Sequence, residues 1–357
     1  MQHLTETSIL PSPSSLPPAS TAAAPVTDRA ALRQVLSFHQ EASPARSVGQ
    51  VATSVLPFLA LCAAMYATLA VSLWLTWALA LPAAAFLVRI FIIQHDCGHG
   101  AFFRSRAAND WVGRLCSLAT LTPYACWRRQ HAAHHANWNN LDRRESGSDI
   151  YSSCLTVREY RQLTPLRRLL YRLIRHPSIA LVALPPLVFL LLYRVPFDTP
   201  SHWRRERLSV HATNLALAVL LVGLGLVVGF GALAMVQLPI MFFAAIVGVW
   251  LFSVQHRFEA ARWFARADWS ADGASLRGTS YLRLPAILQW FTGNIGFHHV
   301  HHLNPKIPNY RLAACHAASP DLQHAPTLTL LGALKGSGWW LWDDVQGRMV
   351  RFRDLPA

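Results

Sequence analysis

Charged residues are scarce in this chain. Only 14% of its 357 residues are Asp, Glu, Lys or Arg, against 53% hydrophobic, with a mean hydropathy of +0.26. Soluble domains carry about 25% charge, so the composition excludes that class and points to a membrane protein. The six cysteines (Cys62, Cys97, Cys116, Cys126, Cys154 and Cys315) contain no CxxC pair and no disulfide-scaffold spacing. A zinc ribbon is excluded, and all six read as reduced thiols, Cys97 packing beside the first histidine cluster. No basic start precedes an uninterrupted apolar core, so the first residues are not a secretory signal. The formal charge of +14 comes from arginines scattered along the chain rather than massed on a stripe with aromatics, which excludes a nucleic-acid surface.

Histidine is what the sequence has in concentration. In FHHVHHL (Phe297 to Leu303), His298, His301 and His302 stand at i, i+3 and i+4, so a helix places all three imidazoles on one side. His131, His134 and His135 repeat the pattern, and His95 and His99 stand at i and i+4. Eight imidazoles in short helical repeats repel one another when protonated and gain little when neutral unless a metal joins them. His256 follows an apolar run just as His95 does, and is counted as a ninth ligand. His3, His39, His176, His202, His211, His316 and His324 stand alone and read as ordinary polar residues. A zinc site takes about four ligands, so this many histidines implies two metals. Nitrogen donors suit iron, copper or zinc alike; the position beside long apolar segments, where a hydrocarbon could be guided, suits oxygen-activating iron.

Residues 1–48, with PSPSSLPP and ASTAAAP, read as a disordered tail holding at most a short helix over Leu32 to His39. At about 20 residues per crossing, the apolar run from Val51 to Ile93 accommodates two spans, 51–71 and 73–93, turning near Ser72 to Thr76. Arg89 is expected to snorkel to the headgroups. Residues 111–127 read as interfacial, the Arg-rich 137–176 as helices on a membrane face, and 179–193, with Pro185 and Pro186, as interfacial or re-entrant. A second pair of spans, 211–230 and 232–254, turns near Gly229 to Gly231. Both presumed outer loops lack Lys and Arg, which places the termini and the histidine clusters in the cytoplasm. The expected fold is an all-α integral membrane protein: four transmembrane helices in two hairpins under a cytoplasmic helical cap. Residues 313–357 read as a cytoplasmic ending without a legible motif.

HDCGH (His95 to His99), HAAHH (His131 to His135) and HHVHH (His298 to His302) resemble the three histidine boxes of the membrane fatty acid desaturases. The resemblance runs from Val51 to Leu312 and takes in NLDRR, QHRFE and GNIGFHHVHHLNPKIPNYRL. It is strongest toward the bacterial acyl-lipid delta-12, or omega-6, branch. It implies that His95, His99, His131, His134, His135, His256, His298, His301 and His302 bind two non-haem iron ions. His299 falls in a variable box position beside them. It further implies that Asp96, Asp149, Glu259 and Asn294 are candidates to orient imidazoles, and that Trp127, Trp290 and Phe297 line an acyl tunnel. Two departures are Gly100, where plant relatives carry another histidine, and an extra residue at Gly147-Ser148-Asp149.

The implied reaction is O2-dependent insertion of a cis double bond into a membrane-lipid acyl chain, in a bacterial inner membrane. A hydroxylase or ketolase of the same superfamily would use the same ligands. A metal transporter would instead place its ligands along a mid-bilayer path. The chain has no GxGxxG fingerprint, no iron–sulfur cysteine set and no cytochrome b5 haem signature, since His176-Pro177 is followed by Ser178. A separate ferredoxin or similar carrier is therefore the expected electron donor.

Overall fold

Helices begin where a cap or a proline permits and bury whichever face the apolar spacing supplies. In the computed structural model, which describes residues 28–144, 154–336 and 338–355, α1 (Arg29–Phe38) opens on Asp28. The Asp28 carboxylate accepts from the backbone N–H groups of Ala30 and Ala31, amides that a helix start otherwise leaves unpaired. α2 (Pro44–Thr68) takes proline in its first turn and buries Ser47, Gln50, Ser54, Phe58, Cys62 and Met65, a stripe spaced by three and four residues along one face. Residues 29–38 and 44–48, expected as tail, are therefore helical: Leu32 and Leu36 are buried against Phe297, Val300 and Leu312. The expected tail residues 1–27 lie outside the described residues.

α3 (Leu73–His99) is capped by the Ser72 hydroxyl, which accepts from the Leu75 N–H. It ends at Gly100, whose φ of +65° suits a residue without Cβ. The Ala101 N–H turns back to the Asp96 carbonyl at 2.9 Å, closing the helix just past His99. A side chain at position 100 would be strained in that conformation. α4 (Arg106–Ala119) and α5 (Tyr124–Asn137) pack back on α3.

β1 (Leu155–Thr156), α6 (Val157–Gln162) and α7 (Pro165–Ile174) follow, then a π-helical turn at Ser178–Ala183 and α8 (Leu184–Leu190). Pro185 and Pro186 lack the N–H groups a regular ladder needs, and α7 meets the segment Ser178–Arg194 at a bend of 49°. That bent pair is a broken span or a re-entrant loop by length and composition.

α9 (Arg204–Val228) and α10 (Phe230–His256) meet at Gly229, with φ +87°. α2, α3, α9 and α10 are each long and apolar enough to cross a membrane. Their outward residues are bare: Trp74, Leu226 and Val227 are 79%, 76% and 82% exposed. An apolar surface of that extent is suited to lipid, not water.

The remaining elements are short: α11 (Ala271–Gly278), β2 (Tyr281–Arg283), α12 (Ala286–Phe291), α13 (His298–Leu303), α14 (Asn309–Ala317), α15 (Pro320–Gln323), β3 (Thr327–Thr329), α16 (Leu330–Lys335), β4 (Leu341–Asp343) and β5 (Arg348–Val350). The protein is mostly helical but not all-α. β2 pairs with β3 in parallel, and β4 lies between β1, parallel to it, and β5, antiparallel. These two small sheets tie the last 45 residues to the middle of the chain. Trp342 and Met349 pack with Trp138, Phe258 and Trp263.

α3 is the axis of the apolar core, buried along most of its length against α2, α4 and α10. Arg89 shares that burial at 7% exposure, contrary to the snorkelling expected of it. Its Nε donates to Ser54 Oγ at 3.1 Å, its Nη1 to the Trp290 carbonyl, and the guanidinium sits 3.8 Å from the Trp290 ring centre. α3 runs on beyond Arg89 to His99 and is packed there by α12, so the side chain has polar partners inside and no path to the surface.

Candidate metal centre

Four helix segments converge at one end of the apolar helices. The last turn of α3 brings His95 and His99, α5 brings His131, His134 and His135, α10 ends on His256, and α13 brings His298, His301 and His302. Their nitrogens form two groups. Those of His95, His99, His131, His135 and His301 all lie within 4.8 Å of one another, as do those of His134, His256 and His302. His298 joins the second group, its Nε2 2.9 Å from that of His256.

The spacing explains the division. Residues at i and i+4 share a helix face, whereas adjacent residues diverge by about 100°. His131 and His135 therefore turn to one group and His134 to the other; His298 and His302 turn to the second and His301 to the first. The doubled histidine of the second and third clusters serves two neighbouring points.

These nitrogens have no other occupation. His134 Nε2 lies 3.2 Å from His256 Nε2, His135 Nε2 3.2 Å from His131 Nε2, and His301 Nε2 3.0 Å from His135 Nε2. His99 Nε2 and His302 Nε2, and the Nδ1 atoms of His134, His135, His256, His298 and His301, are buried without a hydrogen-bond partner. Orphaned buried polar atoms are rare and costly. For His99 Nε2 and His302 Nε2, and for the Nε2 atoms that face one another, the cost falls away if their lone pairs meet a cation. Burial, followed by the neighbouring imidazoles, pushes the imidazoles of His131, His135, His298, His301 and His302 well below their ordinary range, and that of His134 to about 3. They are held neutral, the form that ligates. An all-imidazole set fits iron, copper or zinc.

One of the expected orienting carboxylates is in place. Asp96 Oδ1 lies 3.0 Å from His95 Nδ1, and Oδ2 accepts from the backbone and side-chain amides of Asn309 at 2.6 and 2.8 Å. Asn294 touches no imidazole; its side chain donates to the Asn309 carbonyl at 3.1 Å, supporting the same loop. Glu259 is turned away, its carboxylate pairing with Arg348 at 2.6 Å on the surface. Asp149 lies outside the described residues. His299 faces the opposite side of α13, 3.0 Å from His316 Nδ1, and burial and that neighbour lower it to about 3.

Trp138, not anticipated, packs against His134 and lies with its ring centre 4.0 Å from that of His256. Asn309 was also missed. Its position in NPKIPNY, just after the third box, was the available signal.

A narrow apolar cavity of about 150 Å³ leads from the histidines between α3, α5, α8 and α10. His95, His131 and His298 form its polar end; Leu87, Phe91, Met241, Ala244 and Gly248 line its apolar reach. Trp127 is in its wall, stacked on His131 with ring centres 4.8 Å apart. Trp290 and Phe297 do not line it: Trp290 is held under Arg89 and beside Phe86, and Phe297 stacks on Tyr281 at 4.5 Å next to α1. All six cysteines are buried free thiols, and Cys97 packs in the core just behind the first cluster.

Four helices apolar enough to cross a membrane thus bring together, beside an apolar cavity, two groups of imidazoles that could hold metal. The comparisons make the class specific: the family model described as fatty acid desaturase matches residues 33–329, and the chain belongs to that family, making it an oxidoreductase. It is 42% identical over 323 residues to a fatty acid desaturase of Bacillus subtilis, covering 90% of each chain. It is 29% identical over 246 residues to an sn-1 acyl-lipid omega-3 desaturase (ferredoxin) of Synechocystis, covering 65% of this chain and 64% of the relative. To an acyl-lipid omega-3 desaturase (cytochrome b5) of the Arabidopsis thaliana endoplasmic reticulum it is 31% identical over 291 residues, covering 76% and 69%.

Proposed function

We propose that this chain uses O2 to place a cis double bond in an acyl chain of a membrane lipid, at a centre of two irons held by the nine histidines. His95, His99, His131, His135 and His301 hold one iron; His134, His256, His298 and His302 hold the other. The observation that carries this reading is the apolar cavity ending on His95, His131 and His298. Its lining is predominantly apolar, which suits hydrocarbon rather than a polar substrate. Two irons bound there supply the oxygen activation that an unactivated methylene requires, since it offers no acidic proton to a side-chain base.

The chain's own residues position and exclude. From Met241 to Gln255 the helix rise is about 21 Å, at about 1.5 Å per residue, so the cavity wall along α10 has the reach of a long acyl chain. Trp127 holds the His131 ring flat and closes the wall. Asp96 accepts from His95 Nδ1, which leaves Nε2 to face the metal. The apolar lining keeps water from the reacting carbons.

The finer assignments follow the sequence. α2 with α3, and α9 with α10, form two hairpins under a cytoplasmic cap in a bacterial inner membrane, with residues 1–48 and 313–357 on the same cytoplasmic side. The Lys- and Arg-free turns at the far ends support this orientation. Histidines at helix ends rather than mid-span argue against a transporter. The third-box segment favours the delta-12, or omega-6, position. The omega-3 names of the Synechocystis and Arabidopsis relatives favour a second reading in which the new bond lies nearer the methyl end. Expression in a host lacking polyunsaturated lipids, followed by mass spectrometry of its fatty acids, tests the function. A new diene is expected; a hydroxy or keto product would assign the sister reactions, and unchanged lipids with an active donor present would contradict the proposal.

A further inference from the structure

We propose that a basic recess beside His99 is the docking site of an acidic one-electron carrier protein, and that its electrons enter the metal centre at His99. This rests on the desaturase reading and deepens it. Insertion of one double bond breaks two C–H bonds and reduces O2 to two waters. Dioxygen takes four electrons, two from the C–H pair and two from outside, with two protons from solvent. A one-electron carrier must therefore dock twice per turnover, at a place that reaches the histidines without obstructing the hydrocarbon.

The apolar cavity and a second space both touch the histidine groups, and no residue lines both. The apolar cavity meets His95, His131 and His298. The other is an open recess of about 600 Å³ whose floor is His99, and whose walls come from the C-terminal turn of α3, from α4, from the outward face of α5 and from the loop after α13. α3 and α5 meet between them: Gly98 has no side chain, and a Cβ there would lie 2.9 Å from the Trp127 ring. The hydrocarbon passage and the recess are thus separate approaches to one centre.

The recess is positively biased. Arg104, Arg106, Arg128, Arg129 and Lys306 line it, against the carboxylates of Asp110 and Glu206. Both carboxylates are already engaged, Asp110 with Arg128 at 2.6 Å and Glu206 with Arg129 at 3.1 Å. Arg104 pairs with Glu41 at the rim. Lys306 Nζ donates to the His99 carbonyl at 2.6 Å, so the positive surface is joined directly to the histidine at the floor. A shallow basic opening that ends on a candidate ligand suits a partner bringing negative charge and electrons, and such complementarity steers encounter and sets register. The names of two relatives print a ferredoxin and a cytochrome b5 as their donors; either would have to find such a place on this chain.

The test uses the iron-loaded full chain in nanodiscs with an acidic [2Fe–2S] ferredoxin as the probe. The variants are Arg104→Gln with Arg106→Gln, and Arg104→Glu with Arg106→Glu, compared at equal iron content. Ferredoxin binding and ferredoxin-driven desaturation are expected to fall about tenfold or more, with a flatter salt dependence. Desaturation driven by reduced methyl viologen, which needs no docking, is expected to hold at least its wild-type rate. Unchanged ferredoxin binding would overturn the proposal. So would a raised KM for the acyl lipid with both reductants, which would assign the recess to a lipid headgroup. A wild-type protein that binds ferredoxin through these arginines but forms no unsaturated product with either reductant would leave the dock standing and remove the desaturase reading instead.

Discussion

Asp96 and Asn309 join the first histidine helix to the loop that follows the third histidine cluster. One carboxylate oxygen accepts from both amides of Asn309, at 2.6 and 2.8 Å, while the other meets His95 Nδ1 at 3.0 Å. On the preceding side, Arg89 grips Trp290 in the helix that leads into the third cluster. α3 thereby fixes its own imidazoles and brackets those of α13.

Asp96→Asn keeps the volume but replaces the acceptor facing His95 with an amide that can present N–H to it. Iron affinity is expected to fall about 10- to 100-fold, measured as retained iron after dialysis against a chelator. Asn309→Ala is expected to fall short of that, because His95 keeps its carboxylate. An Asp96→Asn protein retaining full iron would refute the orienting role.

The two faces of α13 separate by substitution. His301→Ala removes a proposed ligand and is expected to abolish product and lower bound iron. His299→Ala removes a buried ring that faces His316 instead, and is expected to cost stability on the order of 2 kcal/mol while iron per folded chain is unchanged. Equal iron loss in both variants would contradict the assignment of faces.

Gly248 lines the apolar cavity, and a Cβ there meets nothing within 4 Å. Gly248→Leu therefore fits without disturbing the helix packing but fills the passage. Desaturation of long acyl chains is expected to drop about tenfold or more at unchanged iron content and Tm. Normal activity on the same lipids would mean that the acyl chain takes another route.

Acid should loosen the empty centre through its histidines. His134 is lowered to about 3 by burial and by His95, so the folded state holds it neutral. The unfolded chain binds a proton near the ordinary histidine value of about 6.5, so stability is full above that value and is lost as pH falls from about 6.5 toward 3. Glu159, held at about 2 chiefly by its hydrogen bond to Arg144, begins to lose its contribution only below about 4.3. The Tm of metal-free protein is therefore expected to fall between pH 6.5 and 5, before any carboxylate effect. A flat profile there would count against the buried neutral cluster.

The candidate centre was legible because its spacing is a property of the helix: i, i+3 and i+4 histidines lie on one side whatever the surrounding fold, although His134 and His301 serve the group opposite to that of their own neighbours. His256 was legible from its place at the end of an apolar run. What escaped detection depends on tertiary contact. The strands are two or three residues long and carry no alternation, so no period could announce them. Leu32 and Leu36 found a buried partner only once α13 was folded beside them. Glu259 follows a candidate ligand by three residues, yet a local turn sends it to Arg348. Aromatics near the boxes looked equivalent in sequence, and packing alone separated Trp127 from Trp290 and Phe297.

The most direct test is metal analysis of protein purified anaerobically, by plasma mass spectrometry per folded chain, with His99→Ala and His302→Ala beside the wild type. Two irons are expected in the wild type and about one in each variant, because these histidines belong to different groups. One zinc per chain and no iron would contradict a di-iron centre.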